Sequence, residues 1–226
     1  MKSVIISCPT LQYELKAALE EANNDTPIKF IPQRLHAVPQ ELHTHLQNLI
    51  DSITDVDRIY ICISSCGGST LGLKSDVAEL VIPRTRDCVD ILLSQKDQHI
   101  EDIDRPFDGC LFTKGWADFN ENSEDSLKNL TKRKGKEYAE SYMRKLYGSF
   151  NKFYYIDTGL GHMENIETRM EPTVKVLNGS TCKVCGGFGV LRKIASGNID
   201  SDFVIVPKGK AVENVDFLQW VFVSVK

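Results

Sequence analysis

Three of the seven cysteines in this chain stand where an apolar run gives way to turn or helix-start residues. Cys8 closes Val4-Ile5-Ile6-Ser7, Cys66 follows the run from Ile59 to Ser65, and Cys88 lies just beyond Glu79-Leu80-Val81-Ile82-Pro83. Thiolates bind soft metals and attack carbon. In an open α/β sheet, ligands gather outside the carboxyl ends of the strands, so three sulfurs at three strand ends read as one pocket. Three protein ligands plus an exchangeable position is the catalytic zinc arrangement, in which a bound thiol or water is deprotonated. An iron–sulfur cluster with one iron lacking a cysteine is the close variant. Cys8, Cys66 and Cys88 are therefore the candidate metal ligands.

The Cys66 turn continues Gly67-Gly68-Ser69-Thr70. Paired glycines let a backbone turn sharply and approach a ligand, and the amides and hydroxyls that follow suit an anion, so Gly67, Gly68, Ser69 and Thr70 are candidate cofactor-binding residues. A phosphate loop is excluded, because Gly-x-x-x-x-Gly-Lys-Ser/Thr is missing. Asp87 suits a helix cap, and a thiol at Cys88 in the first turn, near Arg84 and Arg86, is expected to ionise more readily than a free one. Cys182-Lys183-Val184-Cys185 has the spacing of half a zinc knuckle or of a redox dithiol. Cys62 and Cys110 lie inside apolar runs and read as inert core thiols.

Two further strand ends carry chemistry. His162, in Asp157-Thr158-Gly159-Leu160-Gly161-His162, is a candidate ligand or general acid, with a backbone-satisfied turn histidine as the alternative. Lys114, in Phe112-Thr113-Lys114-Gly115-Trp116, could supply a cationic wall beside a stacking tryptophan, a plain turn being the alternative. His162 and Lys114 are the candidate catalytic residues. His36, His43 and His45 read as solvated residues on a polar helix face.

Short β-branched runs must position these groups. Strands are expected at 3–7, 28–31, 58–63, 79–82, 108–113, 152–157, 173–177 and 203–206, separated by segments with helical spacing. Leu11, Leu15, Ala18 and Leu19 form one apolar helix face, and Leu42, Leu46, Leu49, Ile50 and Ile53 another. The pattern is α/β: a mostly parallel sheet or sheets with flanking helices, as two Rossmann-like lobes or one continuous sheet. The polar stretch from Gln95 to Pro106 marks the boundary, giving an N-terminal lobe over 1–100 and a C-terminal lobe over 101–226. A single helix is expected from a cap at Asn122-Ser123-Glu124-Asp125 to about Gly148, with an aromatic stripe of Tyr138, Tyr142 and Tyr147. The run from Phe217 to Val225 reads as a final strand at a sheet edge or in a homodimer contact.

Composition narrows the function. Net charge is −4 and Lys and Arg are scattered, so no basic stripe points to a nucleic-acid partner. No stretch approaches about 18 apolar residues, so no membrane span is expected, and a cytoplasmic setting is. Seven cysteines in a reducing compartment are core residues, nucleophiles or metal ligands rather than structural disulfides.

Cys8, the Cys66-Gly67-Gly68 turn with Gly72-Leu73, Pro83-Arg84 with Asp87-Cys88, and Phe112 to Trp116 together resemble a family known only as a domain of unknown function. The resemblance runs from Cys8 to Asp202-Phe203-Val204. It is a family of methanogenic archaea and bacteria, often encoded beside corrinoid-dependent methyltransferases. The resemblance implies that Cys8, Cys66 and Cys88 act together, in methyl transfer or corrinoid-linked one-carbon metabolism, with a corrinoid protein or methyltransferase as partner; Cys182 and Cys185 fall outside its pattern. Two other readings stand beside it. One is a cofactor-free, racemase-like enzyme shuttling a proton between Cys66 and Cys185, each followed by Gly-Gly. The other is a non-catalytic accessory protein that binds a corrinoid protein or a metal.

Overall fold

The computed structural model describes residues 1–148, 150–213 and 217, apart from the side chains of 36 and 37. In chain order the elements are β1 (Ser3–Ser7), α1 (Gln12–Glu21), β2 (Ile28–Phe30), α2 (Pro39–Asp51), β3 (Arg58–Cys62), β4 (Glu79–Pro83) and α3 (Cys88–Leu93). There follow β5 (Cys110–Phe112), α4 (Lys114–Asn122), α5 (Leu127–Lys134), α6 (Lys136–Tyr147), β6 (Lys152–Asp157), α7 (Met163–Val176) and β7 (Ser180–Cys185). The chain closes with α8 (Gly189–Ser196) and β8 (Phe203–Val206).

These elements form two units. The first joins Met1–Ile103 to the segment from Phe188 onward; the second is Asp104–Gly187. The C-terminal lobe expected over 101–226 therefore ends at Gly187. The reason is pairing: β8 runs antiparallel to β4, with Leu80 opposite Val206 and Pro83 opposite Phe203, so the chain must return to the first unit to cover that edge.

The first unit holds a five-stranded sheet in the order β2-β1-β3-β4-β8, parallel except for β8. Alternate residues of each strand face opposite sides. Val4, Ile6, Ile59, Ile61, Leu80 and Ile82 pack with Leu42, Leu46 and Ile50 of α2 in one core, while Ile5, Tyr60 and Val81, of opposite parity, are buried as well. Burial on both faces explains the near-continuous apolar runs of these strands. The order reverses at β1, since β2 lies on one side of it and β3 on the other. That reversal is a switch point, where a crevice opens at the carboxyl ends of β1 and β3.

The second unit holds a parallel sheet in the order β5-β6-β7. Phe112, Phe153 and Tyr155 pack with Ile166, Met170 and Val174 of α7. Two expectations are corrected here. Residues 173–177, read as a strand from Thr173, Val174 and Val176, belong to α7 and the residue after it, where Ile166, Met170, Thr173 and Val174 line one buried helix face. The true third strand, β7, is exposed along nearly its whole length and carries no apolar alternation to announce it. The single helix expected up to Gly148 is two, capped by Ser126 and divided at Gly135, whose φ of 86° an L side chain rarely adopts. No helix among the described residues is long and apolar enough to cross a membrane. The expected final strand over 217–225 lies, except for the buried Phe217, outside the described residues.

Candidate functional site

Cys8 is the first residue beyond β1. Pro9 starts a one-turn helix there without losing an amide, and Leu11 N–H bonds the Cys8 carbonyl at 3.1 Å. The buried Thr10 hydroxyl donates to Cys8 Sγ at 3.0 Å. Burial raises the Cys8 thiol pKa above its usual value, and the Thr10 hydroxyl and amide oppose that shift.

Cys66 sits in a strained turn after β3. Ser64 and Cys66 adopt φ of 44° and 39°, left-handed values uncommon outside glycine, and Gly67 and Gly68 follow at 70° and 85°. Such strain persists only where the surroundings hold it, and it clusters at functional sites. The supports are visible: Thr70 donates to the Ser64 carbonyl at 2.8 Å, the Ser64 and Thr85 hydroxyls meet at 2.5 Å, and Cys66 N–H bonds the Arg86 carbonyl at 3.0 Å. The exit of β3 is thereby tied to the exit of β4. The amides of Ser65, Cys66 and Gly68 all bond protein carbonyls and so shape the turn. Ser69 Oγ is different: it is buried and finds no hydrogen-bond partner among the described residues.

Cys88 opens α3. The Asp87 carboxylate caps that helix by accepting from Val89 N–H at 2.9 Å and Asp90 N–H at 3.4 Å. Arg86 is committed to Asp90, with its backbone N–H and Nε both on Oδ2 and Nη2 on Oδ1, in a buried fork. Its guanidinium is thus paired with a carboxylate one helical turn further on.

The three strand ends converge. Cys88 N–H donates to Cys66 Sγ, and the Cys66 thiol is pushed well above its ordinary value by burial first, then by the nearby Cys88, Asp87 and Cys8. Cys66 also packs against the apolar core that contains Cys8. Backbone and hydroxyl donors therefore point at two of the three sulfurs, although a thiol sulfur is only a weak acceptor and a thiolate a strong one. A thiolate that a cation would stabilise is what such donors suit, so the residues fit a soft metal.

Among the described residues, the ligand-type atoms that all lie within 4.8 Å of one another belong to His99, Asp200 and Asp202, not to the three cysteines. Around a tetrahedral zinc, sulfurs sit about 3.8 Å apart, so gripping one would draw Cys8, Cys66 and Cys88 closer. The His99 group is already served by a cation, since Lys193 Nζ lies 2.8 Å from Asp200 Oδ2 and 2.5 Å from Asp202 Oδ2. It reads as a part-buried ion-pair network, with Asp202 and Lys193 buried and His99 exposed.

In the second unit, Thr113 caps α4 and Lys114 is its first residue, buried, with Nζ 2.5 and 2.6 Å from the Asp118 carboxylate oxygens. Asp118 also pairs with Arg169 of α7, and Arg169 Nε lies 2.7 Å from Glu121. His162 precedes α7 at the end of β6, and its pKa is lowered by burial and then by the Lys114 charge. The two candidate catalytic residues are thus electrostatic neighbours on adjacent strand ends. Trp116 packs on the small core of this unit and meets Phe119 edge-on.

The C-x-x-C pair is a correction. Cys182 and Cys185 both lie in β7, where residues three apart point to opposite faces, so they make neither half a zinc knuckle nor a dithiol. Cys66 and Cys185 belong to different units. Cys62 is fully buried, its pKa pushed up to about 12 by burial, and Cys110 is part-buried and pushed up to about 11, as core thiols should be. His43, expected to be a solvated residue on a polar helix face, is instead half-buried, with Nδ1 3.1 Å from the Ser69 carbonyl of the glycine turn.

No curated protein and no solved structure matches the chain. A family match does, over residues 30–195, which takes in Cys66 and Cys88, strands β3 and β4 of the first sheet, the whole second sheet and the candidate residues of the second unit, but not Cys8. With most of its length inside that match, the chain belongs to the family described as protein of unknown function, DUF1638.

Proposed function

We propose that this is a metal-dependent protein in which the thiolates of Cys8, Cys66 and Cys88 hold one soft centre, zinc or an iron–sulfur cluster, with a position left open. The observation that carries this reading is the Cys66 sulfur: it accepts the Cys88 amide and interacts electrostatically with both Cys88 and Cys8. Such a centre acts as a Lewis acid and makes a bound thiol a nucleophile at neutral pH. Around it, Thr10 and the Cys88 amide stabilise thiolate charge, and the Arg86–Asp90 fork and Asp87 cap fix where Cys88 stands. Methyl transfer to or from a thiol, in corrinoid-linked one-carbon metabolism with a corrinoid protein or methyltransferase as partner, is the reaction class proposed. A reducing cytoplasm keeps the thiols available. His162, deprotonated near neutral pH, and Lys114 supply a proton acceptor and a cation in the second unit.

The test is anaerobic purification followed by elemental analysis and an absorption spectrum. About one zinc, or iron with sulfide-to-iron charge-transfer bands, is expected per chain. Cys8→Ser, Cys66→Ser and Cys88→Ser should each weaken metal affinity by about tenfold or more, in line with loss of one first ligand. A chain that takes up neither metal after reconstitution overturns the proposal.

A further inference from the structure

A groove of about 460 Å³ lies beside the Cys66 turn, lined by Pro39, Gln40, His43 and Thr44 of α2 and by Gly67 and Leu71 across from them. Among the described residues its lining carries no Lys, Arg, Asp or Glu, so it suits an uncharged molecule. Its Gly67 wall carries no side chain for a reason: a Cβ built there would come within 3.3 Å of the Pro39 ring, and Gly67 has a φ of 70°. Ligand sites are typically apolar concavities with a few placed polar groups, and His43 is placed. The Ser69 carbonyl, 3.1 Å from Nδ1, can only accept, so in the neutral ring the proton sits on Nδ1 and Nε2 keeps its lone pair. The buried, unpartnered Ser69 Oγ belongs to the same turn, and buried hydroxyls without partners are rare enough to need a reason.

We propose that this groove is the binding site for a small uncharged thiol, with His43 Nε2 as the acceptor of its proton. The S–H bond breaks, the proton passes to Nε2, and the electron pair stays on sulfur as a thiolate; nothing is oxidised or reduced. Gly67, which lines the groove, follows Cys66 directly in the chain, and in delivering the thiolate to the proposed centre the inference rests on that reading.

The test uses the full chain, prepared anaerobically, with 2-mercaptoethanol as probe and its S-methyl ether, which has no S–H, as control. The His43 imidazole nitrogens, assigned by their loss in His43→Asn, are followed by NMR, and affinity is measured by calorimetry. The thiol should shift the His43 signals saturably toward the doubly protonated ring while the ether does not, and the His45 signals should stay put. His43→Asn should bind the thiol about tenfold or more weakly with its metal content unchanged. Gln40→Trp, which fills the groove and keeps the His43 side chain, should weaken binding to a similar degree and gives a second reading if His43→Asn is poorly folded. A His43 ring that does not respond, that responds equally to the ether, or whose replacement leaves thiol affinity intact overturns the inference. Metal content separates the two proposals. A loaded protein with a silent His43 sinks the groove and spares the centre, and a saturable response in protein that takes up no metal does the reverse.

Discussion

At the scale of single residues, the cysteines divide by what surrounds each sulfur rather than by how deep it lies. Cys8 and Cys62 are both nearly or fully buried, yet Thr10 opposes the upward push of burial on Cys8 and nothing opposes it on Cys62. A thiol with a raised pKa in the fold stays protonated where the unfolded chain has already ionised. Its contribution is therefore complete below the unfolded value of about 9 and lost as pH rises toward about 12. In metal-free protein, unfolding free energy should fall over that window, with Cys62 contributing a slope of up to about 1.4 kcal/mol per pH unit. Urea denaturation of Cys62→Ala across pH 8 to 11 should show a flatter decline than the native chain, at a cost of about 1 kcal/mol near neutral pH for the lost sulfur. Metal content should not change. A native-like pH profile in the variant would show that some other group governs alkaline unfolding.

At the scale of elements, the sequence is most readable where a strand is buried on both sides. The runs Val4-Ile5-Ile6, Ile59-Tyr60-Ile61 and Leu80-Val81-Ile82 announce β1, β3 and β4 because both faces need apolar side chains. It is least readable where one face or both meet water. Ser180-Thr181-Cys182-Lys183-Val184-Cys185 forms β7 through its ladder to β6 alone, with Tyr154 opposite Cys182 and Asp157 opposite Cys185, and nothing in its composition required that. In α7 the β-branched Thr173, Val174 and Val176 imitate a strand, and only the four-residue spacing back to Met170 and Ile166 reveals a helix, which even tolerates Pro172. Strand ends could likewise be placed from sequence, but not which ends are neighbours; the order β1-β3-β4 is what brings Cys8, Cys66 and Cys88 together. His43 read as a solvated residue for the same reason, since its contact with the glycine turn exists only once α2 packs beside it. The strand assignment of β7 is checkable. Residues three apart in a strand are about 10 Å apart, beyond the reach of a disulfide. Mild oxidation of folded protein should give no Cys182–Cys185 crosslink between the tryptic peptides that Lys183 separates, whereas oxidation in urea should. A crosslink in the folded state would remove β7.

At the scale of the molecule, all three candidate ligands belong to the first unit, and the second is an insertion between Ile103 and Phe188. Both sides of the insertion are anchored in the first unit. Gly189 N–H bonds the Ser94 carbonyl at 2.9 Å, and the Asp202 carboxylate accepts from Ile100 N–H at 3.2 Å. A chain in which residues 104–187 are replaced by a flexible linker of about twelve residues should therefore fold and keep the metal stoichiometry of the full protein, because such a linker spans roughly 20 Å. Circular dichroism and elemental analysis check this. Folded protein without metal would mean that the second unit completes the centre.

Insertion also dictates an order of events at the ribosome. The outer edge of β4 is finished early, but its partner β8 is synthesised only after the whole of residues 104–187 has emerged. For that long stretch of translation, an apolar strand edge with unpaired amides is open to any neighbouring nascent chain, the kind of edge that seeds aggregation. Residues 104–187, being contiguous, can complete their own sheet in that interval and emerge as the first finished part of a molecule whose beginning must wait for its end.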